Sequence, residues 1–154
     1  VYAKQIVKNA QVLAKTLLDN GLTLTTEGTD SHLLVIDLRP QSVIGNIVAE
    51  ALEVAGIVAN YNTVPHDANP PMYPSGVRLG TPIVTTRGMK EKEMGQIGKW
   101  IVQVVNEVDH YRLPPAKEER STFVKNVKAE LWKNKKLLAI AKNVKALCKQ
   151  FPVP

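Results

Sequence analysis

The residues best suited to chemistry lie between Ile57 and Gly88, IVANYNTVPHDANPPMYPSGVRLGTPIVTTRG, and centre on one arginine, Arg78. Gly76 and Gly80 flank it in Ser75-Gly76-Val77-Arg78-Leu79-Gly80-Thr81-Pro82, which has the pattern of a short strand. Glycine so close to a cation lets backbone, or a ligand, approach where a Cβ would obstruct. A guanidinium on a rigid strand is a clamp for a carboxylate, because its planar fork donates two parallel hydrogen bonds. The competing reading is an ordinary arginine, at the surface or the core edge, ion-paired with Asp or Glu. The polar run Asn60-Tyr61-Asn62-Thr63 stands upstream, across a loop carrying Pro65, Pro70, Pro71 and Pro74. One arginine and two asparagines make a binding surface rather than a complete catalytic apparatus. The clamp reading requires Arg78 to face a cavity shared with the asparagine-bearing segment, free of a private ion pair.

Other candidates carry less. His32 has Asp30 two residues upstream, an arrangement that could orient a base. No nucleophile stands nearby, so a structural histidine holding the turn is the preferred reading. Asp37 and Arg39 flank the end of an apolar run and are placed to pair with each other or with the following loop. There is no glycine-rich phosphate loop, no nucleophile elbow and no His/Cys/Asp set at metal-ligand spacing. No lysine sits in an apolar stretch that would depress its pKa for Schiff-base chemistry. The residues therefore nominate no catalytic group and no metal ligand.

These groups need elements to hold them. Ile6, Val7, Ala10, Leu13, Ala14 and Leu17 recur at three- and four-residue spacing, which predicts a helix over Ala3 to Asn20, stopped by Gly21. Leu22 to Thr25 alternates as a half-buried strand, and His32 to Leu38 is apolar enough to be a central one. The turn between them predicts antiparallel pairing. Ser42 is the expected N-cap of a helix reaching Ala55, with Ile44, Ile47, Val48, Ala51 and Leu52 inward. After the Arg78 strand, a helix is expected from Lys90 to Asp109. Leu113-Pro114-Pro115 interrupts the chain, and two further helices are expected to meet near Lys133 to Lys136. Phe123, Val124, Val127 and Leu131 should face inward in the first, and Leu138, Ala141, Val144 and Leu147 in the second. The order predicts an α+β fold with a small mixed, largely antiparallel sheet covered by helices on one face.

Composition bounds the rest. A chain of 154 residues forms one domain with a real core, built mostly of Val, Leu, Ile and Ala because aromatics are only 5%. The opening Val1-Tyr2-Ala3-Lys4 lacks a Met and starts inside a helical pattern, as a fragment would. No apolar run approaches the roughly 20 residues that span a bilayer. A single cysteine, Cys148, excludes an internal disulfide, and a cytosolic setting is the default expectation. The net charge of +6 is localised. Between Lys117 and Lys149 stand ten Lys or Arg and three Glu, and the remainder totals −1. Without aromatic residues interleaved for base stacking, that basic tail is expected to be a solvated helix face and not a nucleic-acid surface.

Three segments resemble one family. Gly28-Thr29-Asp30-Ser31-His32-Leu33 followed by Val35-Ile36-Asp37-Leu38-Arg39 is similar to the GTDNHL…VDLR segment of serine hydroxymethyltransferases. Asn60-Tyr61-Asn62-Thr63-Val64-Pro65-His66-Asp67 resembles their NKNxxPxD loop. Ser75 to Pro82 with Thr85-Thr86-Arg87-Gly88 resembles their SGxRxGTPxxTxRG stretch almost letter for letter. The likeness runs from the first helix to about Asp109; the tail, 117–154, matches loosely. It implies the C-terminal small domain of a pyridoxal-phosphate enzyme of the aspartate-aminotransferase fold. Such enzymes interconvert serine plus tetrahydrofolate with glycine plus methylenetetrahydrofolate. The resemblance assigns Arg78 to the carboxylate of the amino-acid substrate and Asn62 to the folate pteridine. It places the Schiff-base lysine, the cofactor-stacking histidine and the phosphate loop upstream, in a large domain. It further implies a homodimer or tetramer for the intact enzyme, and no activity for this segment alone. Tyr61 replaces the usual lysine and Ser31 the usual asparagine of the DNH segment, and Tyr61 bears on the charge near the folate site.

Overall fold

The computed structural model describes all 154 residues. The first helix, α1 (Tyr2–Asp19), buries Ala10, Leu13, Ala14 and Leu17 as its apolar spacing requires, and Gly21 at φ +85° turns the chain out of it. Two strands follow, β1 (Thr23–Leu24) and β2 (Leu33–Asp37), paired antiparallel with Thr23 opposite Asp37. The next helix, α2 (Gly45–Val54), begins two residues later than the Ser42 cap predicts. Ser42 lies at φ +55° in the preceding turn, which cannot be an N-cap conformation; Ile44, extended at ψ 151°, takes that position.

The chain then lays down β3 (Asn60–Asn62) and, after the proline loop, β4 (Gly76–Gly80). The sheet order is β1-β2-β4-β3 and every pairing is antiparallel, so the expected parallel component is absent. Residues opposite one another in such pairs share a face. One face carries Leu24, Leu34, Ile36, Val77 and Leu79, all buried. These join one contiguous core with α1, α2 and the long helix α4 (Glu91–Val108). A short helix, α3 (Pro82–Thr86), lies between β4 and α4; nothing in the sequence reading anticipates it. The other sheet face has no helix over it.

Two last helices, α5 (Lys117–Leu131) and α6 (Lys135–Gln150), meet at Trp132–Asn134, as the charge-rich junction predicts. Their buried residues are Val127 and Leu131, then Leu137, Ile140 and Val144. The inward face of α6 is thus rotated from the expected one, and Leu138 is 39% exposed. The face that turns inward is the one carrying the larger apolar side chains, Leu137 and Ile140 in place of Leu138 and Ala141, while Asn134 Oδ1 caps the helix start by accepting from the backbone N–H groups of Lys136 and Leu137. No helix is long and apolar enough to cross a membrane.

Candidate functional site

The uncovered sheet face collects most of the polar residues singled out above. Across three strands one row reads Val35, Arg78, Asn60, and the next reads Asp37, Gly76, Asn62. Leu33 stands opposite Gly80 in a third. On this face Arg78 is the only side chain that β4 contributes, since its neighbours at two-residue spacing are both glycine. Gly76 is required by close approach: a Cβ there would lie 2.7 Å from Asn62 O and 2.7 Å from Val64 Cγ1. The glycine before the arginine therefore seats three strands tightly and leaves the face bare beside the cation.

Arg78 is exposed and has no acidic partner. The four ion pairs are Lys15–Asp19, Arg39–Asp37, Lys128–Glu50 and Lys136–Glu107. The ordinary ion-paired arginine is thereby eliminated. The cavity that a clamp requires is a different matter, because Arg78 lines neither of the two main surface clefts. Asn62 is half-buried, and its Nδ2 donates to Thr63 O at 2.7 Å. Asn60 is exposed with no side-chain hydrogen bond.

Asp37, one row from Arg78, is fully occupied. Arg39 Nη2 donates to its Oδ2 at 2.6 Å, Arg39 Nε reaches Oδ1 at 3.0 Å, and the Arg39 backbone N–H donates to Oδ1 at 3.0 Å. These bonds hold the Asp37 carboxyl below the usual carboxylate range, against a smaller opposing effect of burial. Of the two pairings expected of these residues, the one with each other occurs; Arg39 Nη1 also donates to Pro65 O at 3.3 Å, in the proline loop and not in the loop that follows β2.

The proline loop is held by a second carboxylate. Asp67 accepts from Ser75 N (2.8 Å), Ser75 Oγ (2.8 Å), Asn69 N (3.0 Å) and Val64 N (3.3 Å). Burial pushes this carboxyl up, but the four donors outweigh it and the pKa is lowered. The loop is closed further by Leu38 N donating to Ser75 O and Gly45 N to Pro74 O. Asn62 and Arg78 are presented from the two ends of a fastened segment.

Tyr61 points the other way. It pairs with Val77, on the opposite sheet face from Asn60 and Asn62, and lines a cleft of about 340 Å³ with Asn46, Glu50, Glu53 and Lys128, whose rim the edge-strand residue Asn60 also touches. The tyrosine at this position therefore leaves the charge of the Arg78 face unchanged. His32 is exposed and its imidazole bonds to nothing, Asp30 included; the turn is held by Thr29 Oγ1, which accepts from Ser31 N and donates to Leu33 O. The structural role expected of the imidazole falls to its backbone carbonyl, which accepts from Thr81 N at 3.0 Å.

Three motif residues have structural roles that the sequence reading missed. Arg87 donates through Nε to Phe151 O (2.7 Å) and through Nη2 to Cys148 O (2.8 Å), so a guanidinium caps the C-terminal end of α6. Thr81 donates to Ile6 O, and Thr85 accepts from Asn9 Nδ2, an amide wholly buried in α1. Every lysine is exposed except Lys128, which is paired with Glu50 at 2.8 Å, so none is desolvated for Schiff-base chemistry.

Fold and face together define a small α+β domain that offers one unpaired arginine, between amide and aliphatic neighbours, on an open antiparallel sheet. The sequence profile of the family "Serine hydroxymethyltransferase" matches residues 1–101. Serine hydroxymethyltransferases of Sorangium cellulosum and Acidothermus cellulolyticus are 40% and 44% identical over 153 residues, 99% of this chain and 31% and 32% of theirs. That of Koribacter versatilis is 53% identical over 102 residues, 66% of this chain and 24% of its own. The chain belongs to the serine hydroxymethyltransferase family. It spans about a quarter to a third of the length of these curated relatives, and two of them align through α5 and α6 as well.

Proposed function

We propose that these residues are the C-terminal small domain of a pyridoxal-phosphate-dependent serine hydroxymethyltransferase, with Arg78 as the clamp for the serine or glycine carboxylate. The observation that carries this reading is the unpaired guanidinium on a strand face bared by glycine. An arginine held on a sheet without an acid partner has its fork free for an anion, and a bidentate carboxylate matches its geometry. Asn62, one row away on the same face, contacts the folate pteridine, where an amide offers donors and an acceptor in one plane. The missing cavity wall is supplied by a large domain beyond this chain, which also binds most of the pyridoxal phosphate. The intact protein is a homodimer or tetramer that interconverts serine plus tetrahydrofolate with glycine plus methylenetetrahydrofolate. The 154 residues alone bind neither cofactor nor serine.

The test is Arg78→Ala in the full-length protein. Loss of a charge-assisted bidentate pair is expected to remove about 2–5 kcal/mol of substrate binding and transition-state stabilisation. Unchanged steady-state kinetics with serine would remove the assignment. The second reading is a non-catalytic binding or scaffold domain of the same fold. It is favoured by the absence of any catalytic group here, and serine turnover by the full-length protein decides against it.

A further inference from the structure

The neighbours of Arg78 are unequal. On β2, directly opposite, stands Val35, which can donate nothing. On β3, directly opposite on the other side, stands Asn60, exposed and with its amide uncommitted. Opposed residues of this kind have Cβ atoms about 4.5–5.5 Å apart. Asn62 is diagonal to Arg78, and its Nδ2 is already taken by Thr63 O at 2.7 Å. Along β4 itself Gly76 and Gly80 add no side chain. Arg78 can therefore lie down over bare backbone, which lowers its fork to the level that the shorter asparagine reaches.

A carboxylate has about four acceptor sites, and a bidentate guanidinium fills two. We propose that Asn60 is the second donor to the carboxylate gripped by Arg78, so that one acid group is held from adjacent strands by a guanidinium and an amide. This rests on the reading of Arg78 given above. The amide fixes the rotation of the acid group about the guanidinium axis, which the arginine alone leaves loose toward β3. Val35 bounds the opposite side with an aliphatic wall that brings no competing donor.

The experiment measures serine binding to the cofactor-loaded full-length protein by calorimetry, for wild type, Asn60→Ala, Asn60→Asp, Arg78→Ala and the Asn60→Ala/Arg78→Ala double variant, with melting temperatures alongside. Asn60→Ala is expected to weaken serine about tenfold, the loss of one hydrogen bond to a charged group. Asn60→Asp should weaken it further by facing acid with acid, with the melting temperature of both near wild type at this exposed position. In the Arg78→Ala background, Asn60→Ala should cost much less than in wild type, because the two groups act on one ligand atom set. Serine affinity unchanged in Asn60→Ala while Arg78→Ala weakens it overturns the role of Asn60 alone. Additive losses in the double variant, or losses that track a fall in melting temperature, overturn it too. Arg78→Ala without effect on serine overturns the reading of the site itself.

Discussion

Asp67 and Arg78 sit in one segment and use their charges oppositely. Asp67 spends every acceptor on its own loop, whereas Arg78 keeps all its donors free. The Asp67 contacts make an acid-sensitive fastening, and the Asp37–Arg39 pair adds to it. Both carboxyls are depressed in the folded chain. A group of that kind contributes stability above its unfolded pKa of about 4 and loses it as pH falls through the lower folded value. Unfolding by urea is therefore expected to be insensitive to pH from neutrality to about 5 and to become easier below about pH 4. Asp67→Asn should cost about 1–3 kcal/mol at pH 7, because an amide N–H would face the donors of Ser75, and it should flatten the acid limb. An acid limb as steep as in wild type would show that the loop carboxylate contributes nothing in solution. The strand position of Arg78 was legible in the sequence because its flanking glycines are a local signal. Arg87 was not: its partners, Cys148 and Phe151, lie more than 60 residues away and are backbone carbonyls, which no side-chain pattern announces.

Periodicity reveals an element when one face is buried and the other wet, and α1 and α4 meet that condition. It fails for α3, whose five residues are too few to repeat and whose Ile83 is 75% exposed. It is ambiguous in α6, where Leu137-Leu138 and Ile140-Ala141 offer two overlapping stripes, and packing buries the one with the larger side chains. The register that puts Asn60 and Asn62 beside Arg78 was also beyond the sequence, since a three-residue edge strand has no alternation to read. That register depends on Gly76. Its missing Cβ admits Asn62 O, Val64 Cγ1 and, at 3.1 Å, Ile36 O, so both neighbouring backbones approach at once. Gly76→Ala is expected to push β3 from β4, costing about 1–3 kcal/mol as overpacking does. In the full-length protein it should weaken serine and folate together, because Arg78 and Asn62 are seated by the same contact. Arg78→Ala should weaken serine far more than folate, and paired binding titrations of the two variants separate these outcomes.

At the scale of the whole molecule the basic tail is built into the core. Its excess charge predicts a solvated helix face, and most of its lysines are indeed exposed. Two are not idle: Lys128 pairs with Glu50 of α2, and Lys136 pairs with Glu107 of α4, which also accepts from Asn134. Trp132 Nε1 donates to Glu50 as well, at 2.8 Å. Beneath these contacts Val127, Leu131, Leu137, Ile140 and Val144 belong to the same contiguous core as the sheet. Burying a side chain of this size is worth about 1.5–3 kcal/mol, and a domain is stable by only about 5–15 kcal/mol in all. Truncation after Leu113 also removes the ordering cost of the two helices, so what decides the outcome is the apolar surface left bare on α2 and α4 and the loss of the partners that Arg87 grips. The shortened chain is expected to lose its cooperative thermal transition and to self-associate, as read by circular dichroism and size-exclusion chromatography. A monomeric, cooperatively melting product would mean that residues 1–113 carry a sufficient core, and that the tail, despite its buried leucines, is an addition to a domain already complete.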